Sequence, residues 1–174
     1  MSVAEASTGR RGITSIRAVV DTSSLFPNVL RRRLQEQAAL GRFIPIWSPW
    51  IIAELNRVLV WRWIKAPPPS RPVNDLSAAN EHRCGESAKR MMEIMLPVFE
   101  VITPLPPYPP AWETLTDRWD EPIWAAAVLG SAHYVVSENT RHYPPRQPDG
   151  RHIHQGVEYL GGRAFLSMLT AANG

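Results

Sequence analysis

Three acidic residues and one asparagine stand where an apolar segment of the chain meets a turn or a helix. Asp21 follows the β-branched run IRAVV, Asp120 precedes the segment IWAAAVLG, and Asn139 lies just after the run YVV. Glu54 lies beside the apolar stripe of the segment PWIIAELNRVL. Mg²⁺ and Mn²⁺ prefer such oxygen ligands and complete their coordination shell with water and substrate phosphate. These residues therefore predict a divalent metal site that supports phosphodiester hydrolysis.

Strands and helices alternate along the chain, and this order predicts how the four residues are positioned. The predicted strands are 16–20, 43–47, 98–102, 134–136 and 154–160. The predicted helices are one that follows the possible caps Thr22, Ser23 and Ser24 and runs to about Ala39, one beginning at Pro49, and 75–96, 123–130 and 163–171. This alternation predicts an α/β fold, a three-layer α/β/α sandwich with a mostly parallel central sheet. The carboxyl ends of parallel strands share one edge of a sheet, so residues far apart in sequence meet there.

Prolines and caps mark where several of these elements begin. Ser48 and Pro49 predict the start of the second helix, with serine as the N-cap and proline at the first helical position. Pro122 predicts the first turn of the helix after Asp120, where the helix dipole favours a carboxylate. Pro45 predicts that the second strand lies at an edge of the sheet or contains a bulge, because proline cannot donate a backbone hydrogen bond.

The bulk properties fit one domain in a reducing compartment. The chain has 174 residues, one cysteine and a formal net charge of +3. We expect a flexible tail over residues 1–14 and a single domain over 15–174. The mild positive charge is compatible with a nucleic-acid partner without demonstrating one. The chain contains neither an apolar run of roughly 18 to 20 residues nor the apolar core of a signal peptide, which predicts a cytoplasmic protein without a membrane segment.

Four segments, taken in order, resemble a known family. They are AVVDTSSL, PWIIAELNRVL, DEPIWAAAVLGSAHYVVSEN and GVEYLGGRAFLSML, and together they extend over nearly the whole chain. In this order they resemble the PIN domain. The segment VVSENTRHYPP is similar to a T-x-N-x-R-x-F-P variant of one prokaryotic branch of that family.

The resemblance implies an activity and partners. PIN domains are typically metal-dependent nucleases, and many prokaryotic single-domain members are VapC-like toxins that cleave RNA. The resemblance therefore implies a Mg²⁺- or Mn²⁺-dependent endoribonuclease, the toxin of a toxin–antitoxin pair. Its substrate would be RNA, and its partner would be a cognate antitoxin protein encoded beside it. A homodimer is compatible with the resemblance.

Residue by residue, the resemblance identifies a site with one departure from the family pattern. Asp21, Glu54 and Asp120 match the acids of the first strand, the second helix and the third acidic position. Asn139 matches a fourth position that is aspartate in many members, so one negative charge is missing. Asp117, three residues before Asp120, would share a helix face with it if the helix extends that far back.

These residues would play different roles in hydrolysis. The first three acids and the asparagine would bind the cation directly or through its water shell, and the cation would lower the pKa of a bound water. Glu54 or Asp117 would accept the proton of that water, and the sequence does not decide between them. Thr22 or Ser137 would position phosphate or a metal-bound water, and Arg141 would add a positive contact.

Every one of these positions also has a purely structural interpretation. Asp21 is a natural N-cap, Glu54 a surface helix residue, Asp120 a partner of the helix dipole and Asn139 a turn residue. For the whole protein, the alternatives are a catalytically weak or inactive PIN module that binds RNA or protein, and a nuclease that acts on DNA.

Two groups of residues outside this set are also conspicuous. The triplet Arg31–Arg33 is either a solvated helix face or a phosphate-binding group. The chain has seven tryptophans, and we expect them to serve packing or interfaces rather than base stacking. The group Trp50, Trp61 and Trp63 predicts a protein-binding surface, because tryptophan is favoured at interface hot spots.

Overall fold

The computed structural model describes residues 15–65, 77–107 and 120–172. They contain six strands, β1 (Arg17–Val20), β2 (Ile44–Trp47), β3 (Glu100–Val101), β4 (Tyr134–Val136), β5 (His152–His154) and β6 (Val157–Leu160). They also contain six helices, α1 (Thr22–Leu25), α2 (Asn28–Ala39), α3 (Pro49–Lys65), α4 (Ala78–Met95), α5 (Glu121–Leu129) and α6 (Gly162–Ala171). The strands form one sheet in the order β3-β2-β1-β4-β6-β5.

The sheet is parallel except at one edge, which confirms the predicted α/β class. Only the pair β5 and β6 is antiparallel within the described sheet. In β1, the consecutive residues Ala18, Val19 and Val20 are all fully buried. Successive side chains of a strand point to opposite faces, so both faces of the sheet are covered at β1. The fold is therefore compatible with the predicted three-layer α/β/α sandwich.

The register of the two central strands determines where the chain's polar turns lie. Val20 is paired with Val136, so β1 and β4 end at the same level of the sheet. Asp21 and Ser137 are the next residues of the two strands and therefore lie side by side. The backbone N–H of Asp21 donates to the carbonyl of Val136 over 2.9 Å, which extends the ladder by one step.

The predicted helix that runs to about Ala39 is wrong as a single element, because the structure has two helices between Thr22 and Ala39. The short α1 ends at Leu25, and α2 begins at Asn28 with Pro27 in the N-cap position. Proline has no backbone N–H and clashes with the carbonyl four residues earlier, so a continuous helix through Pro27 is disfavoured.

The prediction of an edge strand or bulge at Pro45 is also wrong. The strand β2 lies between β3 and β1, and Pro45 is paired in unbroken register with Ala18. The N–H of Ile44 donates to Ile16 on the β1 side, and the next backbone N–H along a strand points the other way. On that other side, the pairing with β3 begins only at Ile46. Proline therefore removes no ladder hydrogen bond at this position.

The predicted strand over 154–160 is a hairpin of β5 and β6. Its turn residues, Gln155 and Gly156, have φ values of 44° and 82°. Two consecutive positive φ values are typical of the type I′ turn that joins antiparallel strands. The third strand is shorter than the predicted 98–102, because a 3₁₀ turn over Leu96–Val98 precedes it.

The remaining predicted elements agree with the structure where it describes them. The N-cap at Ser48 and the strand over 134–136 are confirmed, and so are the helix after Asp120 and the last helix. The third long helix begins at Ala78 rather than at residue 75, with Ser77 as its N-cap. The predicted tail over 1–14 lies outside the described residues. Within the described ranges, no helix has the length and apolar character needed to cross a membrane.

Candidate active site

A cleft of about 850 Å³ opens at the carboxyl end of β1, where α1, α3 and α5 contribute its walls. All four of the predicted metal-site residues line it, namely Asp21, Glu54, Asp120 and Asn139. The other lining residues are polar or charged (Thr22, Ser23 and Arg57) or apolar (Phe26, Trp50, Ala53, Val58 and Ile123). The fold therefore brings together side chains that are up to 118 positions apart in the chain.

Asp21 is the most constrained carboxylate of the cleft. It is only 7% exposed. Its Oδ2 accepts three hydrogen bonds, from the backbone N–H of Ser23 (3.4 Å), from Ser23 Oγ (2.6 Å) and from Ser137 Oγ (2.8 Å). These contacts make Asp21 the N-cap of α1, so the structural interpretation of this residue is correct. They use one oxygen only, and Oδ1 accepts no hydrogen bond from any described residue.

The turn after β4 is tied to the turn after β1 by two serines. Ser137 Oγ donates to Asp21 and accepts from the backbone N–H of Asn139 (3.1 Å), while Ser23 Oγ accepts from the backbone N–H of Glu138 (2.9 Å). Since a hydroxyl has one proton, Ser137 uses it on Asp21 rather than on a ligand in the cleft. Ser137 is therefore a positioning residue for Asp21, and it is absent from the cleft lining.

Glu54 belongs to the wall that α3 contributes. Its Oε2 accepts a hydrogen bond from Thr22 Oγ1 over 3.1 Å, which links α3 to the first turn of α1. On the same helix, Ile51 and Leu55 are fully buried. Glu54 lies beside this apolar stripe and is half-buried, as its position in the sequence predicts.

Asp120 and Asn139 also line the cleft, and both come from the second half of the chain. Asp120 precedes α5 and is half-buried, and its side chain makes no capping hydrogen bond to that helix. Asn139 is exposed, and its backbone is held by Ser137. The neighbouring acid, Glu138, is engaged elsewhere, because its Oε1 accepts from the backbone N–H of Gly162 over 2.6 Å at the start of α6.

Besides Ser137, two further predicted site residues are not among the described residues that line the cleft. Arg141 is exposed and is not among the lining residues, whereas Arg57 of α3 is. Asp117 lies outside the described residues. The positive side chain that the structure brings to the cleft is therefore one that the sequence patterns did not identify.

Two tyrosines also support the site, although the sequence predicted no role in the site for either of them. Tyr143 donates a hydrogen bond from its hydroxyl to the carbonyl of Ser137. Burial raises the pKa of Tyr143 to about 12, and the negative charges of Glu138 and Asp21 add to this effect. Burial also raises the pKa of Tyr159, with further contributions from Asp120 and Asp21. Both phenols line a cavity of about 20 Å³ behind the cleft, together with Asp21 and Asp120.

The candidate ligands of the cleft have the atom type that a hard cation prefers, but the carboxylates are not clustered closely together. In the described ranges, no three residues among the histidines, cysteines and acids form a group able to hold a metal ion. The cleft nevertheless presents only oxygen ligands from its four candidate residues, as Mg²⁺ prefers. Mg²⁺ usually keeps several waters and binds through one or two carboxylates. The site therefore fits a hydrated cation better than one fully enclosed by protein.

The fold and the cleft define the class of the protein: a mostly parallel α/β domain with a carboxylate-bearing cleft at the carboxyl ends of its central strands. Compared with known proteins, the chain matches no family model, and neither a curated protein nor a solved structure matches it.

Proposed function

We propose that the protein is a metal-dependent nuclease that hydrolyses RNA phosphodiester bonds internally. One observation carries the proposal: Asp21, Glu54, Asp120 and Asn139, selected from the sequence for their ability to bind Mg²⁺ or Mn²⁺, all line one cleft. Each alone has a structural interpretation, but helix capping and turn formation do not require that the four residues share a cavity.

The residues of the cleft divide the work of hydrolysis. Asp21 Oδ1, which accepts no hydrogen bond from the described residues, would hold a hydrated cation together with Asp120. Asn139 would contact the water shell of that cation. When bound, the cation lowers the pKa of a water and offsets negative charge on phosphate. Glu54 is the remaining carboxylate of the described lining and is the candidate proton acceptor. Arg57 supplies a cationic contact for phosphate.

The resemblance to PIN domains supports the more specific parts of the proposal. VapC-like members of that family are RNA-cleaving toxins, and the observed α/β fold is compatible with a PIN-like architecture. On this basis we propose that the protein is the toxin of a toxin–antitoxin pair, bound by a cognate antitoxin in the cytoplasm. The buried free thiol of Cys84 is compatible with a reducing compartment.

A second candidate function is a PIN-like module that binds RNA or protein without cleaving it. Two observations favour it: the fourth position is Asn139 rather than an acid, and the described acids form no tight metal-binding group. A nuclease that acts on DNA is a third candidate, because the ligand set does not distinguish the sugar.

Cleavage assays separate these functions. Purified protein would be incubated with RNA or single-stranded DNA, in the presence of Mg²⁺, Mn²⁺ or EDTA. We expect RNA cleavage that EDTA abolishes and that Asp120→Asn reduces by orders of magnitude. Asp149→Asn is the matched control, because Asp149 is exposed and paired with Arg151 outside the cleft. Cleavage that persists in EDTA and in Asp120→Asn would refute the proposal, while binding without turnover would favour the inactive module.

A change at Asn139 tests whether the missing charge limits the affinity for metal. Asn139→Asp restores a carboxylate of nearly the same size, so we expect it to lower the Mg²⁺ concentration needed for half-maximal cleavage. Asn56→Asp, at an exposed position of α3 outside the cleft lining, is the control. For the toxin assignment, the informative observation is a small DNA-binding protein encoded in the adjacent reading frame.

A further inference from the structure

Two guanidinium groups converge at the corner between α1 and α2. Arg31 Nη1 donates to the carbonyl of Leu25 over 3.1 Å, and Arg62 Nη1 donates to the carbonyl of Phe26 over 3.5 Å. The guanidinium of Arg62 lies 4.1 Å from the centre of the Phe26 ring. Arg32, the next residue of α2, is exposed and close enough for its charge to affect Arg31. We call Arg31, Arg32 and Arg62 the arginine patch.

Among the described residues, no acid is paired with the positive charges of the arginine patch. In the part of the chain that the structure describes, none of the three arginines forms a salt bridge. Arg31 and Arg62 donate to backbone carbonyls instead, and Arg31 also donates to the amide oxygen of Asn28 over 2.8 Å. Burial lowers the pKa of Arg31, and the like charges of Arg32 and Arg62 lower it further. An anion at this surface would relieve that repulsion, and guanidinium is well suited to phosphate.

The arginine patch adjoins the cleft through a shared aromatic residue. Phe26 lines the cleft and also lies beneath Arg62. Along α3, Trp50, Glu54 and Arg57 line the same cleft, at the i, i+4 and i+7 spacing of one helix face. Trp50 remains 40% exposed there. An exposed tryptophan beside cationic side chains is the usual combination for single-stranded nucleic acid, since bases stack on the ring while arginines follow the backbone.

We propose that a single strand of nucleic acid crosses this surface, with an unpaired base stacked on Trp50 and adjacent phosphates bound by the arginine patch. The inference rests on the proposed nuclease function for the identity of the ligand and adds its path to the cleft. A single strand is required because the bases of a duplex are stacked on one another and do not offer a free face. Trp50 then belongs to the substrate surface rather than to the protein-binding surface that the sequence suggested.

The first test measures binding rather than cleavage, so that its outcome is independent of catalysis. Asp120→Asn protein in EDTA would be titrated onto a labelled oligouridine by fluorescence anisotropy at several NaCl concentrations. We expect Arg32→Gln and Arg62→Gln each to reduce the slope of log Kd against log salt by about 0.7, the value for one phosphate contact on a single strand. Arg32 makes no hydrogen bond or salt bridge with the described residues, so its variant does not depend on refolding of the α1 corner.

The control for the arginine patch is Arg33→Gln, which removes the same charge from the same helix. Arg33 lies roughly 200° around α2 from Arg31, on the far side of the helix axis. We expect an unchanged slope. Equal losses in Arg32→Gln and Arg33→Gln would indicate a general charge effect and overturn the inference. Equally effective displacement of the oligouridine by polyglutamate, at the same charge concentration, would overturn it as well.

The second test compares two exposed tryptophans of α3. Trp50→Ala should weaken binding of the oligouridine by about 5- to 150-fold, the range for loss of one stacked base, without changing the salt slope. Trp61→Ala is the control, because Trp61 is 50% exposed but does not line the cleft. Equal losses in the two variants, or equal affinity for a duplex, would refute the assigned path. Failure of cleavage with intact binding would instead refute only the nuclease proposal.

Discussion

The contact between Ser137 and Asp21 offers a quantitative test of how the cleft is built. Ser137 is 7% exposed and donates to a buried carboxylate over 2.8 Å. A hydrogen bond to a charged group contributes about 1.5–3 kcal/mol, so we expect Ser137→Ala to lower the free energy of unfolding by that amount. In a domain of this size, each kcal/mol corresponds to about 2–4 °C, which predicts a decrease of about 3–12 °C in Tm.

A second buried serine provides the matched control. Ser24 Oγ donates over 3.2 Å to the carbonyl of Val136, a neutral acceptor beside the same pair of strands. Its loss is expected to cost about 0.5–1.5 kcal/mol. Both free energies come from urea denaturation followed by circular dichroism. If Ser24→Ala is as destabilising as Ser137→Ala, the charge of Asp21 has no special role in the contact.

A double-mutant cycle assigns the effect to the pair itself. Ser137 also accepts a hydrogen bond from the backbone N–H of Asn139, so the single variant does not isolate one contact. In an Asp21→Asn background the acceptor is neutral, and Ser137→Ala should cost about 1 kcal/mol less than in the original chain. Additive effects within about 0.3 kcal/mol would refute the view that Ser137 acts through Asp21.

Three further predictions concern other parts of the fold. Tyr143→Phe loses the hydrogen bond to the Ser137 carbonyl and should cost about 0.5–1.5 kcal/mol. Folding raises the pKa of Tyr143 from 10.0 to about 12, so the free energy of unfolding should fall as the pH rises through this interval. The fall should be less steep in the phenylalanine variant, and denaturation curves recorded at each pH measure it. Gly85→Ala should stabilise by about 1 kcal/mol, because outside its own stretch of α4 the added Cβ would meet no described atom within 4 Å. Gly130→Ala should destabilise by about 1–3 kcal/mol, because its Cβ would lie 2.8 Å from the backbone carbonyl of Ala126. Thermal melts that give the same sign for both glycines would contradict this. Cys84 is buried in α4 and should react with a thiol reagent only after unfolding, so reaction in the native protein would contradict its placement.

Local patterns in the sequence were sufficient for the fold class and for several boundaries. The β-branched run before Asp21 predicts a buried strand because such residues favour the sheet, and Ser48 with Pro49 predicts the start of α3 through capping alone. Both signals depend on neighbouring residues, and both agree with the structure. Local patterns failed where the outcome depended on the neighbouring strands. The sheet accommodates Pro45 in an internal strand because the pairing of β2 with β3 begins only at the next residue, Ile46.

The sequence by itself determined which side chains are able to bind a cation, and roughly where each lies on its strand or helix. Only the tertiary structure decided which neighbouring groups form hydrogen bonds with these side chains. Ser137 reaches Asp21 across 116 positions because Val20 and Val136 are in register, and no local pattern specifies the register of two distant parallel strands. The same holds for the surface around the cleft. Arg62 meets Arg31 and Phe26 only because α3 packs beside the α1 corner, and that packing is a property of the folded chain.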